Sequence, residues 1–263
     1  MSFYQELCDE DIIEKAKGML INGGFFLRES DGKIAADTIT SWDTPWHHVK
    51  HMESVHCVMW MQIIFNGFSL PLSKEQRFVP IGCQECFKTV VRPKTLKSLF
   101  SLLELQKKLN RPSKCGIETR PSVCGHYGGY FYSRGLDEGL EMYKVVRAAI
   151  DEAPDLGPAT PVMLKRGCTE MEHGTIPSDK WEITPYQARI ESLISRKFVI
   201  DPQTRTHPDS VILHTHRKWI EWAYQNGDMT YLEYTDGEPL PQYPAYVTYH
   251  HLADKGAGEN GKK

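Results

Sequence analysis

The chain has 263 residues, of which 40% are hydrophobic and 11% aromatic, and its formal net charge is −3. This composition excludes a disordered polypeptide, and the length is sufficient for one large domain or two modest ones. No apolar run reaches the roughly 18 residues that a membrane-spanning helix needs. The chain also begins with acidic residues where a signal peptide has basic ones. We therefore expect a cytoplasmic protein that does not enter a membrane.

The N-terminal part, residues 1–76, predicts mostly helices. Asp9 can cap a helix that ends at Gly23-Gly24. Residues 24–41 predict a short strand and a turn. Thr44-Pro45 is typical of a helix start, and we predict a helix from there to about Phe65.

Histidines are concentrated on that last helix. His47 and His51 are four residues apart, so they would share one face of the helix and could chelate a metal. Imidazoles that pack beside Trp42 and Trp46 explain the same pattern without a metal.

The middle part, residues 78–168, alternates between strand and helix patterns. Runs of β-branched or aromatic residues predict strands, and apolar residues at helical spacing predict helices. In chain order we predict a strand at 87–92, a helix capped by Thr95 that ends near Leu109, strands at 115–120 and 128–133, a helix over 136–150, and a strand at 161–165. This β-α-β-β-α-β order is the pattern of the ferredoxin-like split β-α-β sandwich, which is an α+β fold.

The C-terminal part predicts helices that begin at Thr184-Pro185 and Pro208-Asp209, then an ordered arm over 234–249 and a flexible tail over 253–263. We find no internal repeat and no clear linker. The simplest organisation is therefore a single compact domain over 1–263. Its parts are a helical segment (1–76), an α/β core with the cysteine site (77–170), a helical and aromatic segment (171–252) and the tail.

The seven cysteines are an odd number, which argues against a disulfide framework in a cytoplasmic chain. Metal binding, catalysis and burial remain as explanations. Cys83 and Cys86 form a C-x-x-C motif directly before the first predicted strand of the core. Such a turn can present two thiolates to one metal, although two unrelated thiols would have the same spacing.

The predicted topology selects the other metal ligands. Strands one and two of the sandwich begin at the edge where strands three and four end, so Cys115 and Cys168 should meet Cys83 and Cys86 there. Cys124 falls at the opposite edge and is the reserve ligand. Because Cys115 would lie about two strand spacings of roughly 4.8 Å from Cys86, an iron–sulfur cluster fits better than a zinc ion. Zinc, and no metal at all, remain as alternatives.

Basic residues are concentrated in residues 77–120, which contain ten Lys or Arg and three acids. Such a band could attract an anionic small molecule, an acidic partner or nucleic acid, or it could be a solvated helix face with a few strand ends. Lys114, Arg120 and Arg166 lie near the expected cysteine site and are the candidate substrate-binding residues.

Three further residues are candidates for catalysis. Glu170 and His173 follow Cys168 closely and could exchange protons with a bound substrate, although a solvated loop explains them equally well. His126 lies in a glycine-rich loop and could line a pocket.

The leading hypothesis is a cytoplasmic metalloprotein with a cysteine-ligated site, iron–sulfur favoured, that is an enzyme or enzyme subunit acting on an anionic substrate or partner. The first alternative is a zinc-stabilised module that binds nucleic acid through the basic helix at 95–109 and the aromatic strand at 128–133. The second alternative is a metal-free protein-interaction domain.

Overall fold

The fold is mixed α+β in a computed structural model that describes residues 9–22, 25–30, 33–36, 45–50, 78–121, 123–200 and 208–240. The helices are α1 (Asp9–Asn22), α2 (Ile81–Gln84), α3 (Leu96–Leu109), α4 (Gly135–Glu152), α5 (Thr169–Gly174), α6 (Pro185–Lys197) and α7 (Asp209–Gln225). The strands are β1 (Phe25–Leu27), β2 (Lys33–Ala36), β3 (Trp46–Lys50), β4 (Cys86–Val91), β5 (Ser113–Ile117), β6 (Tyr127–Arg134), β7 (Val162–Arg166) and β8 (Val199–Ile200). Short 3-10 turns lie at Ser178–Lys180 and Met229–Tyr234.

The larger sheet has five strands in the order β3-β5-β6-β4-β7, and every neighbouring pair is antiparallel. The four strands and two helices predicted between residues 87 and 165 are confirmed, with their ends shifted by a few residues. The smaller sheet has the order β1-β2-β8, with β1 antiparallel to β2 and β2 parallel to β8. Residues 24–41, predicted as one strand and a turn, therefore contribute two strands.

The predicted helix from Thr44-Pro45 is wrong over residues 46–50, which form the edge strand β3. Trp46 pairs with Gly116 and His47 pairs with Cys115. Proline is also compatible with the start of an edge strand, and the Pro45 carbonyl accepts hydrogen bonds from Ile117 N and the indole of Trp219. Residues 51–65 of that predicted helix lie outside the described residues.

Helix α3 begins at a reciprocal cap. The Thr95 hydroxyl accepts a hydrogen bond from Ser98 N at 3.2 Å, and the Ser98 hydroxyl accepts one from Thr95 N at 3.0 Å. This arrangement satisfies backbone donors that the first helical turn leaves without partners. Leu99, Leu102 and Leu103 then lie on the buried side of the helix.

Side chains alternate between the two faces of the large sheet. We call the side against which α3, α4 and α7 pack the helix face. Its buried residues form the main apolar core with those helices and include Val91, Cys115, Ile117, Tyr127 and Phe131. We call the opposite side the pocket face, because the candidate site lies there. Among the described residues, no helix combines the length and the apolarity needed to cross a lipid bilayer.

Candidate functional site

A pocket of about 190 Å³ opens on the pocket face of the large sheet. Four cations line it: Lys88, Lys114, Arg120 and Lys165. The other lining residues are Trp46, Tyr130, Tyr132, Gly167, Cys168, Thr169 and Glu170. The pocket thus combines a thiol, aromatic walls and an excess of positive charge.

Strand pairing brings the lining residues together. Lys88, in the middle of β4, lies opposite Tyr132 on β6 and opposite Lys165 on β7. Lys114 on β5 lies opposite Tyr130 on β6. Directly paired residues on antiparallel strands share a face, so five side chains from four strands point to the same side of the sheet.

Gly167 turns the chain at the end of β7 and brings Cys168 to the pocket. Its φ of +63° lies in the left-handed region, which favours glycine. A Cβ at this position would lie 2.5 Å from the Trp181 ring. The Gly167 amide donates to the Cys86 carbonyl at 2.7 Å, which fixes the turn to the start of β4.

The closest polar contact in the pocket joins an amine to a thiol. Lys88 Nζ lies 2.8 Å from Cys168 Sγ, and Lys88 is only 9% exposed. Burial lowers the pKa of Lys88, but Cys168, Tyr132 and Cys86 together outweigh burial and raise this pKa above its usual value. A buried ammonium needs an anionic partner, and an adjacent ammonium favours the thiolate form of a cysteine. This contact therefore favours an ammonium–thiolate pair.

Lys114 has a different environment. Its Nζ lies 4.7 Å from the centre of the Trp46 ring and 5.8 Å from that of Tyr130. Among the residues that the structure describes, no carboxylate lies within ion-pair distance of this amine. Burial, together with repulsion from Lys88, lowers the pKa of Lys114 to about 8. This amine can therefore bind an anion or exchange a proton near neutral pH.

Arg120 is held by carboxylates at the rim of the pocket. Its Nε and Nη2 donate to the two oxygens of Glu118 at 2.7 and 2.6 Å, and its Nη1 pairs with Glu170. Burial raises the pKa of the Glu118 carboxyl, but the Arg120 contacts outweigh burial and the net direction is down. Glu118 and Glu170 therefore compensate much of the guanidinium charge and fix its position.

Lys165 is partly compensated in the same way. Its Nζ donates to the Thr169 hydroxyl at 2.9 Å and lies 3.3 Å from Glu172. Lys114 is consequently the lining cation that is best placed to attract an additional anion.

Four of the residues predicted from the sequence meet in this pocket: Cys168, Lys114, Arg120 and Glu170. Arg166 is on the helix face, where it donates to the backbone carbonyls of Gln84 and Ser178 and packs on Trp181. His173 is exposed on α5. His126 is exposed beside Trp222 and does not line the pocket.

The four cysteines predicted as metal ligands lie in different environments. Cys86 lies on the pocket face, and both Cys86 and Cys168 interact with Lys88. Cys83 is buried with Val79, Met171 and Trp181, and Cys168 packs against that cluster.

Cys115 is sealed in the core on the helix face, where burial raises its pKa. Within the described ranges, no group of three or more His, Cys, Asp or Glu side chains is placed to hold a metal. The residues therefore do not fit the four-thiolate site, and the iron–sulfur cluster or zinc stays a sequence-based prediction. Cys124, the reserve ligand, is exposed.

His47, the other predicted metal ligand, lies on β3 and contacts α7. Its Nδ1 is 2.9 Å from Nε2 of His216, and the two rings stack with centroids 5.1 Å apart. Phe100 and Trp219 border the pair. His51 lies outside the described residues. The contact explains His47 as a residue that joins β3 to α7.

The features predicted to bind nucleic acid are divided between different surroundings. Of the aromatic strand, Tyr127 and Phe131 are buried in the helix-face core, whereas Tyr130 and Tyr132 line the pocket. The basic band is also split, because part of it lines the pocket and Lys97 and Lys107 on α3 form surface ion pairs. The basic helix α3 and the pocket-facing tyrosines thus lie on opposite sides of the large sheet.

Sequence reasoning missed Lys88, Lys165, Trp46 and Tyr132 as pocket residues. Lys88 carried a usable signal, since a lysine in the centre of the β-branched run at 87–92 must either leave the sheet or find a buried partner.

No protein-family model matches the chain, and neither a curated protein nor a solved structure does.

Proposed function

We propose that the protein is an enzyme that binds a small anionic substrate beside Lys114 and attacks an electrophilic centre of that substrate with the thiolate of Cys168. The observation that carries this proposal is the 2.8 Å contact between Lys88 Nζ and Cys168 Sγ in a cation-lined pocket. A thiolate is the reactive form of cysteine, and a neighbouring cation maintains it near neutral pH.

The remaining pocket residues have distinct roles in this proposal. Lys114 attracts the anionic group of the substrate and can exchange a proton with it, since its pKa is lowered to about 8 by burial and by Lys88. Arg120, fixed by Glu118, orients an anionic group at the rim. Trp46 and Tyr132 exclude water from the reacting atoms.

The size of the pocket restricts the substrate. Its volume of about 190 Å³ is below the roughly 300–1,000 Å³ of sites for drug-sized ligands. A small phosphorylated or carboxylated molecule therefore suits the site better than a nucleotide or a polymer.

The charge selectivity of Cys168 tests the proposal. The full chain is treated at neutral pH with limiting iodoacetate, which is anionic, or iodoacetamide, which is neutral, and alkylation of each cysteine is quantified by peptide mass spectrometry. We expect the ratio of the iodoacetate rate to the iodoacetamide rate to be several-fold higher at Cys168 than at the exposed Cys124. Sulfate should protect Cys168 more than chloride at equal ionic strength.

Lys144 provides the matched control, because it is an exposed lysine on α4 outside the pocket. Lys144→Met should keep the high ratio at Cys168, whereas Lys114→Met should lower it toward the Cys124 value. Equal ratios at Cys168 and Cys124 in the wild-type protein would contradict the proposal.

We also infer that the core is the ferredoxin-like split β-α-β sandwich, extended by β3. The strand order β5-β6-β4-β7 and the β-α-β-β-α-β order of elements support this inference. A cytoplasmic location is part of the proposal as well, supported by the odd number of cysteines and by the reduced state that a cysteine nucleophile needs.

A further inference from the structure

A second thiol, Cys86, lies beside the proposed nucleophile. The Gly167 amide donates to the Cys86 carbonyl at 2.7 Å, so Gly167 faces Cys86 across β4 and β7 and Cys168 is the next residue. Cys168 therefore directly follows the residue whose amide is bonded to Cys86, and both cysteines lie at the edge of the sheet where β4 begins and β7 ends.

The two thiols also share one cation. Cys86 and Lys88 are two residues apart on β4 and therefore lie on the same face of the sheet, while Lys88 Nζ contacts Cys168 Sγ at 2.8 Å. The Lys88 charge acts on both sulfurs, and the two sulfurs act on each other.

The surroundings of the two sulfurs are unequal. Burial raises the pKa of Cys86 and outweighs the opposing effect of Lys88, so Cys86 stays a thiol while Cys168 is paired with the ammonium. Such a pair has one sulfur that reacts first and a second that resolves the product.

We propose that Cys86 and Cys168 form a reversible disulfide, in which a hydroperoxide oxidises Cys168 and Cys86 then resolves the oxidised sulfur. The inference deepens the proposed function, because it rests on the reactivity of Cys168, and it makes this pocket a site of thiol oxidation.

Each step of this oxidation balances. The Cys168 thiolate attacks one oxygen of hydrogen peroxide, the O–O bond breaks, and the departing hydroxide takes a proton from solvent to become water. Cys168 is then a sulfenic acid. Cys86 attacks its sulfur, the S–O bond breaks, and the departing hydroxide takes the thiol proton of Cys86. In total, one thiolate and one thiol lose two electrons, the thiol of Cys86 gives up one proton and solvent supplies a second, and one peroxide becomes two waters.

Peptide mapping of the full chain tests the proposal. The reduced protein is treated with one equivalent of hydrogen peroxide, the remaining thiols are blocked with N-ethylmaleimide, and non-reduced peptides are analysed by mass spectrometry. We expect a linked Cys86–Cys168 peptide pair that dithiothreitol separates. Cys86→Ser should instead accumulate sulfenic acid on Cys168, trapped by dimedone.

Cys83 and Cys124 supply the matched controls. Cys83→Ser and Cys124→Ser should both retain the Cys86–Cys168 link. A Cys83–Cys86 link in the wild-type protein would overturn the proposal, because it would make the C-x-x-C motif the redox pair.

The result also separates this inference from the proposed function. Dimedone labelling of wild-type Cys168 without any link overturns the disulfide but leaves the reactive thiolate intact. If iodoacetate and peroxide both leave Cys168 unmodified while Cys124 reacts, both proposals fail.

Discussion

Lys114 and Cys115 are neighbours in one strand, yet they occupy opposite chemical environments. Cys115 points into the helix-face core, where it is fully buried among apolar side chains. Lys114 points into the pocket with Lys88 and Cys168. The difference shows that the parity of a residue within its strand, more than its distance along the chain, decides which groups can act together. One face of the sheet stabilises the fold, and the other holds polar groups at a cost in desolvation.

The largest expected effect is on stability, through the helix face. Phe131→Ala removes a fully buried ring from the main core, and we expect a loss of about 3–5 kcal/mol in the free energy of unfolding. Urea titration measures this change, with Leu136→Ala as the control because Leu136 is exposed on α4. A loss at Phe131 no greater than that at Leu136 would contradict the assignment of the core.

The next largest expected effect is on the reactivity of Cys168, which a change on the pocket face should lower. Lys88→Met removes the ammonium that favours the Cys168 thiolate, so iodoacetamide should alkylate Cys168 at least about tenfold more slowly at neutral pH. Methionine fills a similar volume, so the protein should remain folded. An unchanged rate in a folded Lys88→Met variant would show that Lys88 does not activate the thiol.

A smaller effect distinguishes Cys115, in the helix-face core, from Cys168, in the pocket. Cys115→Ala should cost about 1 kcal/mol of stability, since it removes a small buried group, and should leave the alkylation rate of Cys168 unchanged. Cys124→Ala, at an exposed position, should change neither quantity. Loss of Cys168 reactivity in a folded Cys115→Ala variant would instead place both thiols in one site, as the iron–sulfur prediction requires.

The smallest expected effect is a pH dependence due to Lys114. Burial and the nearby Lys88 lower the pKa of this amine to about 8. Protection of Cys168 by sulfate, whose charge is constant in this range, should weaken a few-fold as pH rises through about 8, because the neutral amine no longer attracts anions.

The Lys114 amine also affects the free energy of unfolding, and this contribution rises with pH whereas sulfate protection falls. Between about pH 8 and about pH 10, the unfolded chain holds the Lys114 proton more strongly than the folded chain does, since the unperturbed pKa is about 10.4. The contribution of Lys114 to stability should therefore rise with pH in this window. Both trends should disappear in Lys114→Met, and sulfate protection that stays constant through pH 8 would contradict this role.

The sequence predicts the central elements of the fold because each has a strong local signal. Thr95 caps α3 as expected, and the apolar residues of α3 and α4 follow helical spacing. Strand β3 was missed because Thr44-Pro45 resembles a helix start, and its pairing with β5 is a long-range contact that local propensity does not encode.

The site was only partly predictable. The predicted strand order placed Cys86 and Cys168 at one edge of the sheet, and the structure brings them near each other. The prediction did not distinguish the two faces of the sheet at that edge, so it included Cys115, which lies on the helix face. Residues two positions apart in a strand share a face. Counting from Lys88 and Lys114 would therefore have assigned Cys86 to the pocket face and Cys115 to the helix face. The turn at Gly167, which brings Cys168 to Lys88, depends on packing against Trp181 and leaves little trace in the sequence.

The charge state of Cys168 is the central claim, and ultraviolet thiolate absorbance measures it most directly. The quantity is the spectrum of the wild-type protein minus that of Cys168→Ser at neutral pH, with the same subtraction repeated in the Lys88→Met background. We predict a thiolate band in the wild-type difference spectrum and its loss when Lys88 is replaced. A wild-type difference spectrum without this band at neutral pH, with the band appearing only under alkaline conditions, would contradict the ammonium–thiolate pair.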